Sequence, residues 1–301
     1  MPWRLHVTNR AIQRLDVLND TNQSLLVVWT QPGRVSYVDL ESGMMLGEKR
    51  LPDLANRTSQ HWQTLLPDVP APNDAYPPVL AGQGVLVFLT PGQDQRLYHY
   101  PRSGELYLVS SSSETRLGQE HRYRAVDLAR ETGMIAAVDL AGRLHVFHHA
   151  TPAGVHELGL NPSATETITA VAIAKRNFFV AAGRTLLRVD ADGRVQKRLQ
   201  LHYALGAFAC SPAGDLLVCS DRDTNVIRVY DSTSLSPLHQ RHAVDLVARA
   251  TQVQLIADLP PVMVVLNNLS IGDNGLLAFA LGGVVCATDI TQMLAIPRPV
   301  T

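Results

Sequence analysis

Short apolar runs alternate with polar turns along this chain, and the runs come in pairs. Leu25–Trp29 is followed by Val35–Asp39, Val85–Leu89 by Leu97–Pro101, and Met134–Val138 by Leu144–His148. The pairing recurs at Phe178–Ala181 with Leu186–Asp190, at Leu216–Cys219 with Ile227–Asp231, and at Leu276–Ala280 with Val285–Asp289. Runs this short, bounded by Gly, Pro, Asn and Asp, read as strands joined by turns. A strand-only unit recurring every 40–50 residues or so is the pattern of a propeller blade.

The clearest unit spans Leu205–Gln240. It holds an inner strand at Ala207–Ser211, a Pro-Ala-Gly turn, a second strand, a polar loop at 221–225, a third strand and an outer strand at Leu235–Gln240. The third strands end at positions 39, 101, 148, 190, 231 and 289, so successive spacings are 62, 47, 42, 41 and 58. The two long intervals hold extra residues at about 53–75 and 241–261, each an insertion or the remnant of a seventh blade. In the second, Ala243, Val247 and Ala250 lie at loosely helical spacing, while Ala243–Val247 and Val253–Ala257 also fit strands. The fold expected over 1–301 is all-β: a single propeller of four-stranded blades, six in number, with seven as the alternative. A ring must close or leave raw sheet edges. Arg4–Val7 alternates as a strand that could pair with the last blade and latch it.

Ala209-Cys210-Ser211-Pro212-Ala213-Gly214-Asp215-Leu216-Leu217 and Val226-Ile227-Arg228-Val229-Tyr230-Asp231-Ser232-Thr233 resemble the WD-repeat-like propeller superfamily. The likeness is good over about 205–235, fair over 165–200 and faint elsewhere. The chain lacks the family's Gly-His pair and Trp-Asp dipeptide. The resemblance implies a platform for other macromolecules, although propellers also host enzymes.

Composition narrows the classes. A formal net charge of −1 over 301 residues exerts no global pull toward nucleic acid or anionic membrane. Three cysteines argue against a disulfide framework. In the hairpin around Ala213, Cys219 is expected opposite about Ala207 and Cys210 opposite about Leu216, so buried free thiols are expected. The N-terminal residues lack a signal-peptide core and no run is long enough to span a membrane, so a cytoplasmic location is expected.

Several residues invite chemistry. Asp39, Asp190, Asp231 and Asp289 recur at one point of the repeat, where Asp caps turns by accepting backbone N–H bonds. His145, His148 and His149 suggest a metal, but successive strand residues point to opposite faces, and no cysteine lies near. Lys175, Arg176, Arg184, Arg188, Arg194, Lys197 and Arg198 outweigh Asp190 and Asp192 in one blade. They could dock an acidic partner, or simply deter edge pairing on an outer strand. No aromatic is interleaved to stack bases, which favours protein over nucleic acid. Trp62, on a polar stretch, is either a partner anchor or a pin on its own loop. Asn267 and Asn268 could face a channel.

No Gly-x-Ser-x-Gly elbow, phosphate loop, Cys-x-x-Cys or His-Glu-x-x-His is present. The expected function is a non-catalytic protein-interaction scaffold, a propeller subunit of a larger assembly with no cofactor. Trp62, Arg176, Arg184, Arg194, Lys197 and Arg198 are its candidate partner-binding residues. The alternative is a metal- or cofactor-dependent hydrolase or oxidoreductase working at a channel mouth.

Overall fold

A computed structural model describes residues 3–7, 12–19, 24–30, 34–50, 86–89, 95–100, 104–110, 113–129, 132–161, 167–175, 177–211, 213–248, 266–272, 275–290 and 293. Trp62, Arg176, the proposed insertion at 53–75 and the strand at Val253–Ala257 lie outside these residues.

After β1 (Trp3–His6), the first sheet comprises β2 (Ile12–Asn19), β3 (Ser24–Thr30), β4 (Arg34–Asp39) and β5 (Met45–Arg50). The second comprises β6 (Leu86–Leu89), β7 (Gln95–Tyr100), β8 (Glu105–Ser110) and β9 (Glu114–Arg116). The third holds β10 (Tyr123–Ala129), β11 (Met134–Asp139), β12 (Arg143–His148) and β13 (Thr151–Glu157). The fourth holds β14 (Ile168–Ala174), β15 (Asn177–Ala182), β16 (Thr185–Val189) and β17 (Val195–Gln200). The fifth runs through β18 (Leu205–Cys210), β19 (Leu216–Asp221), β20 (Val226–Asp231) and β21 (Pro237–His242), and leads into α1 (Ala243–Ala248). The sixth has β22 (Leu266–Ile271), β23 (Leu276–Leu281) and β24 (Val284–Asp289). All six sheets are antiparallel and four-stranded, because β1 pairs with β24 through Trp3↔Ala287 to His6↔Val284. The latch strand expected near Arg4–Val7 therefore makes its predicted pairing.

The chain divides into two compact units, Met1–Lys49 with Leu201–Thr301, and Arg50–Gln200. In the first, β22 lies between its neighbours: Leu266 N–H donates to Asn225 Oδ1, and Asn268 Nδ2 donates to the carbonyl of Ile12. Phe279 and Leu281 pack with Val218 and Ile227 of the fifth sheet, whereas Ala278 and Ala280 pack with Leu26 and Val28 of the first. In the second unit the third sheet is likewise covered on both faces. Ala136 and Val138 meet Phe178 and Val180, while Ile135 and Ala137 meet Leu97 and Leu106. Burial on both faces explains why β11, β15, β19 and β23 are continuous apolar runs rather than alternating ones.

A bulge opens the first strand pair of the first, third, fourth, fifth and sixth sheets. Such bulges raise local twist and re-aim the strand. The second sheet departs from this pattern. Its described first pair, β6 with β7, runs in unbroken register, and β7, expected as a third strand, is second of the four described. Here β8 folds back onto β7 and is followed by β9, which the 62-residue spacing did not reveal.

Of the helical and strand readings open at the start of the second long interval, Ala243–Ala248 takes the helical one, since its buried Ala243 and Leu246 are three residues apart while Val244 is exposed. Two further expectations are corrected. The outer strand of the fifth sheet begins at Pro237, because Leu235 sits buried in the turn at φ +51°. Cys219 pairs with Phe208 and Cys210 with Leu217, one residue off the expected register. All three cysteines are free, and Cys210 is only half-buried. No helix among the described residues is long and apolar enough to cross a membrane.

Candidate functional site

The densest cluster of ionisable side chains among the described residues forms at one corner of the third sheet. Asp139 ends β11 and opens the turn to β12, where its Oδ1 accepts the N–H groups of Ala141 and Arg143, both at 2.9 Å. This turn aims Oδ2 back over β12. Arg143 and His145 share one strand face, two residues apart. Arg143 reaches Oδ2 with Nε and Nη2, both at 2.8 Å, and His145 Nε2 donates to it at 2.9 Å. Asp139 and His145 are almost wholly buried, at 2% and 3% side-chain exposure, so the hydrogen bond between them is shielded from water.

His121 comes from the link between β9 and β10. Its Nδ1 lies 3.3 Å from Arg143 Nη2 and 3.9 Å from Asp139 Oδ2, and its ring centroid lies 4.4 Å from that of His145. Tyr123 meets the His145 ring edge-on at 5.1 Å. Burial pushes the Asp139 carboxyl upward, but bonds from the Arg143 backbone, His145 and the Arg143 side chain outweigh it and hold its pKa below the ordinary value. Burial lowers the pKa of His145, and the Asp139 carboxylate only partly opposes this.

His121, Asp139 and His145 offer three donor atoms within 4.8 Å of one another. They do not fit a metal as arranged. Both carboxylate oxygens already accept, and the Arg143 guanidinium holds positive charge where a cation would sit. Sequence reasoning missed this cluster. His121 stands 22 residues from Arg143 and 24 from His145, and attention fell on the run His145, His148, His149. His148 and His149 are exposed, and His149 packs over Gly133 rather than toward His145. The one sequence signal was Asp139 four residues before an arginine across a glycine turn.

The fifth sheet builds a similar corner. Asp221 ends β19, accepts the Asp223 and Thr224 N–H groups, and lies 3.7 Å from Arg228. The Arg228 guanidinium sits 4.3 Å from the Tyr203 ring centroid, and the Tyr203 hydroxyl meets those of Tyr230 at 2.6 Å and the Cys219 thiol at 3.5 Å. At the other turn type, Asp39, Asp190 and Asp231 accept local N–H bonds from Ser42, Asp192 and Ser234, the capping role their position suggested.

The basic residues of the fourth sheet are spread out. Arg184 is exposed in the turn before β16, and Arg194 is exposed in the turn after it, 3.9 Å from Asp192. Lys197 is exposed in mid-strand, directly opposite Arg188. Arg198 turns to its neighbour sheet, where Nη2 donates to the carbonyls of Leu158 and Gly159 at 3.0 and 2.8 Å. Asn268 is likewise committed, to Ile12.

The class that this fold defines is an all-β protein of repeated four-stranded antiparallel sheets, consistent with a β-propeller. The comparison with solved structures agrees. Raptor from Chaetomium thermophilum superposes with a TM-score of 0.56 at 12% identity, over 92% of this chain and 24% of that one. At this identity the likeness concerns the fold alone. A backbone matched by 1496 solved chains identifies neither a reaction nor a partner. No protein-family model and no curated protein matches the chain.

Proposed function

We propose that the chain is a non-catalytic protein-interaction scaffold: one propeller of six four-stranded blades over 1–301, acting as a subunit of a larger assembly. Three sheets of like construction in each unit and the completion of the last sheet by β1 support the single-propeller reading. On this reading, about 53–75 and 241–261 are insertions between blades. Three free cysteines, one of them half-buried, favour a reducing, cytoplasmic setting.

The observation that carries the functional reading is the β16–β17 hairpin. It sets Arg188 directly opposite Lys197 and exposes Arg184 and Arg194 at its two ends. An acidic protein surface would be steered toward these exposed cations. Neither strand carries an aromatic residue to stack bases, which favours protein over nucleic acid.

The test is affinity purification from the native host, at low and high salt, of the wild type and of a triple variant carrying Arg184→Glu, Arg194→Glu and Lys197→Glu. These side chains are exposed, so the variant should melt with the wild type. The expected result is an acidic protein recovered with the wild type at low salt and lost with the variant. Recovery of the same partners with both proteins would remove the hairpin from the interface. A stoichiometric metal without any partner would favour the hydrolase or oxidoreductase reading instead.

A further inference from the structure

We propose that β5 is a docking edge for an extended segment of a partner protein, one whose apolar residues are flanked by Lys or Arg and which adds to the first sheet as a further strand. The site lies on the first sheet and does not depend on the basic β16–β17 hairpin of the fourth. Met44, Met45 and Leu46 form the one run of consecutive exposed large apolar side chains among the described residues, at 61%, 38% and 44% exposure. β5 closes the strand order of its sheet, with β4 on one side and no described strand on the other. An exposed apolar edge strand is a template for pairing with another chain.

The start of the run is pinned. Asp39 N–H donates to the Met44 carbonyl at 2.9 Å, and Asp39 Oδ1 accepts the Ser42 N–H at 2.7 Å. Met44 N–H in turn donates to Ser42 Oγ at 3.2 Å, and Trp3 packs against Gly43 just before it. Gly47, inside the strand, has nothing within 4 Å of its Cβ position and no left-handed φ. Neither its backbone nor its own neighbours call for glycine. A glycine within a strand often marks a place where a second backbone approaches closely.

The geometry selects the occupant. Met45 and Leu46 are successive strand residues and point to opposite faces of the sheet. A flat protein surface covers one face only. An added strand, whose side chains alternate in the same way, meets both, and its main chain supplies the hydrogen bonds. Together the three side chains expose roughly 300 Å², the scale of the largest apolar patch on a monomer. That is far below the about 800 Å² that each partner contributes to a stable interface, so the patch suits a short segment rather than a second copy. A second copy's β5 also fits poorly, since antiparallel pairing centred on Gly47 sets Leu46 opposite Glu48 and Met45 opposite Lys49. Glu41 and Glu48 are exposed on either side of the run, with the basic pair Lys49-Arg50 beyond them. Lys or Arg flanking the partner's apolar residues would complement these two carboxylates.

Selection of displayed random twelve-residue peptides on the full chain, with counter-selection on a double variant carrying Met45→Lys and Leu46→Lys, tests the site. Both side chains are exposed, so the variant should melt with the wild type. The expected peptides alternate apolar residues between Lys or Arg and bind the wild type at least about tenfold more tightly than the variant. They should also slow amide hydrogen exchange in β5, a readout that uses the wild type alone and stands whatever the variant's stability. Glu41→Gln with Glu48→Gln should weaken them roughly fivefold at low salt and less at high salt. Recovery of no discriminating peptide, of peptides without basic residues, or of binding that leaves β5 unprotected would each overturn the proposal. So would a wild-type dimer in sedimentation that the lysine variant loses, which would make this edge a self-interface.

Discussion

Trp3 and Gly43 claim the same space: a Cβ on Gly43 would lie 2.5 Å from Trp3 Cδ2. Gly43 also has φ +74°, a conformation that side chains other than glycine's resist. The indole N–H of Trp3 donates to the Leu40 carbonyl at 2.7 Å, so the β4–β5 turn clamps the N-terminal strand that completes the last sheet. Gly43→Ala should cost about 1–3 kcal/mol and Trp3→Ala about 3–5 kcal/mol, read from urea unfolding. A Trp3→Ala protein as stable as wild type would show that β1 is dispensable.

Adjacent basic residues on β17 should behave differently. Arg198→Ala, although that side chain is also exposed, removes two bonds to the Leu158 and Gly159 carbonyls and should cost about 0.5–1.5 kcal/mol. Lys197→Ala, on an exposed side chain, should stay within about 0.5 kcal/mol of wild type. Equal effects in chemical denaturation would show that the two carbonyl bonds of Arg198 contribute nothing beyond what Lys197 does.

Stability should fall in two stages as pH is lowered. His145 has a folded pKa below its ordinary 6.5, so the unfolded chain takes up the proton first. Its contribution is complete above about pH 6.5 and is lost as pH falls toward the folded value. Asp139 lies below its ordinary 3.8, so its contribution stands above that value and is lost as pH falls through the folded one. Within the first window the slope belongs to histidine and is at most about 1.4 kcal/mol per pH unit for each proton. His145→Gln should be less stable at pH 7.5 yet flatter from pH 6.5 to 5. An equally steep profile in that variant would assign the slope elsewhere.

Burial pushes the thiols of Cys219 and Cys286 up to about 12, while Cys210 is half-buried. An aromatic disulfide reagent at pH 8 should therefore titrate one thiol in the native chain and three after denaturation. Cys210→Ser should abolish the native reaction. Rapid reaction of a second thiol would mean that one of the two buried sites opens readily.

The 2.6 Å contact between the Tyr203 and Tyr230 hydroxyls sits inside the fifth sheet's corner. Each Tyr→Phe change should cost about 1–2 kcal/mol, with coupling near 1 kcal/mol in a double-mutant cycle. Additive losses would show that the Cys219 thiol and the Arg228 guanidinium, not the partner phenol, hold each ring.

Much of the fold was legible because a strand pair separated by a tight turn is a local object. Phe178–Ala181 with Leu186–Asp190 and Leu216–Cys219 with Ile227–Asp231 are apolar runs whose turns lie between them, and both hairpins form there. Misreadings arose where local pattern is degenerate. The Cys210–Cys219 register differs by one because the turn, closed by Ser211 N–H on the Leu216 carbonyl, is centred between Ala213 and Gly214 rather than on Ala213. Ala243–Ala248 fits either period over so few residues, and burial of Ala243 and Leu246 against the sixth sheet selects the helix.

By itself the sequence determined the strands, their pairing into hairpins and the turn-capping aspartates, since each depends on residues a few positions apart. Only the tertiary structure decided which charges matter. It sent Arg198 to a neighbouring sheet, left Lys197 opposite Arg188, and drew His121 across 22 residues to Arg143. Polar side chains far apart in sequence meet only where packed sheets bring their corners together. A solvated residue and a buried partner of an ion pair look alike until that packing removes the water.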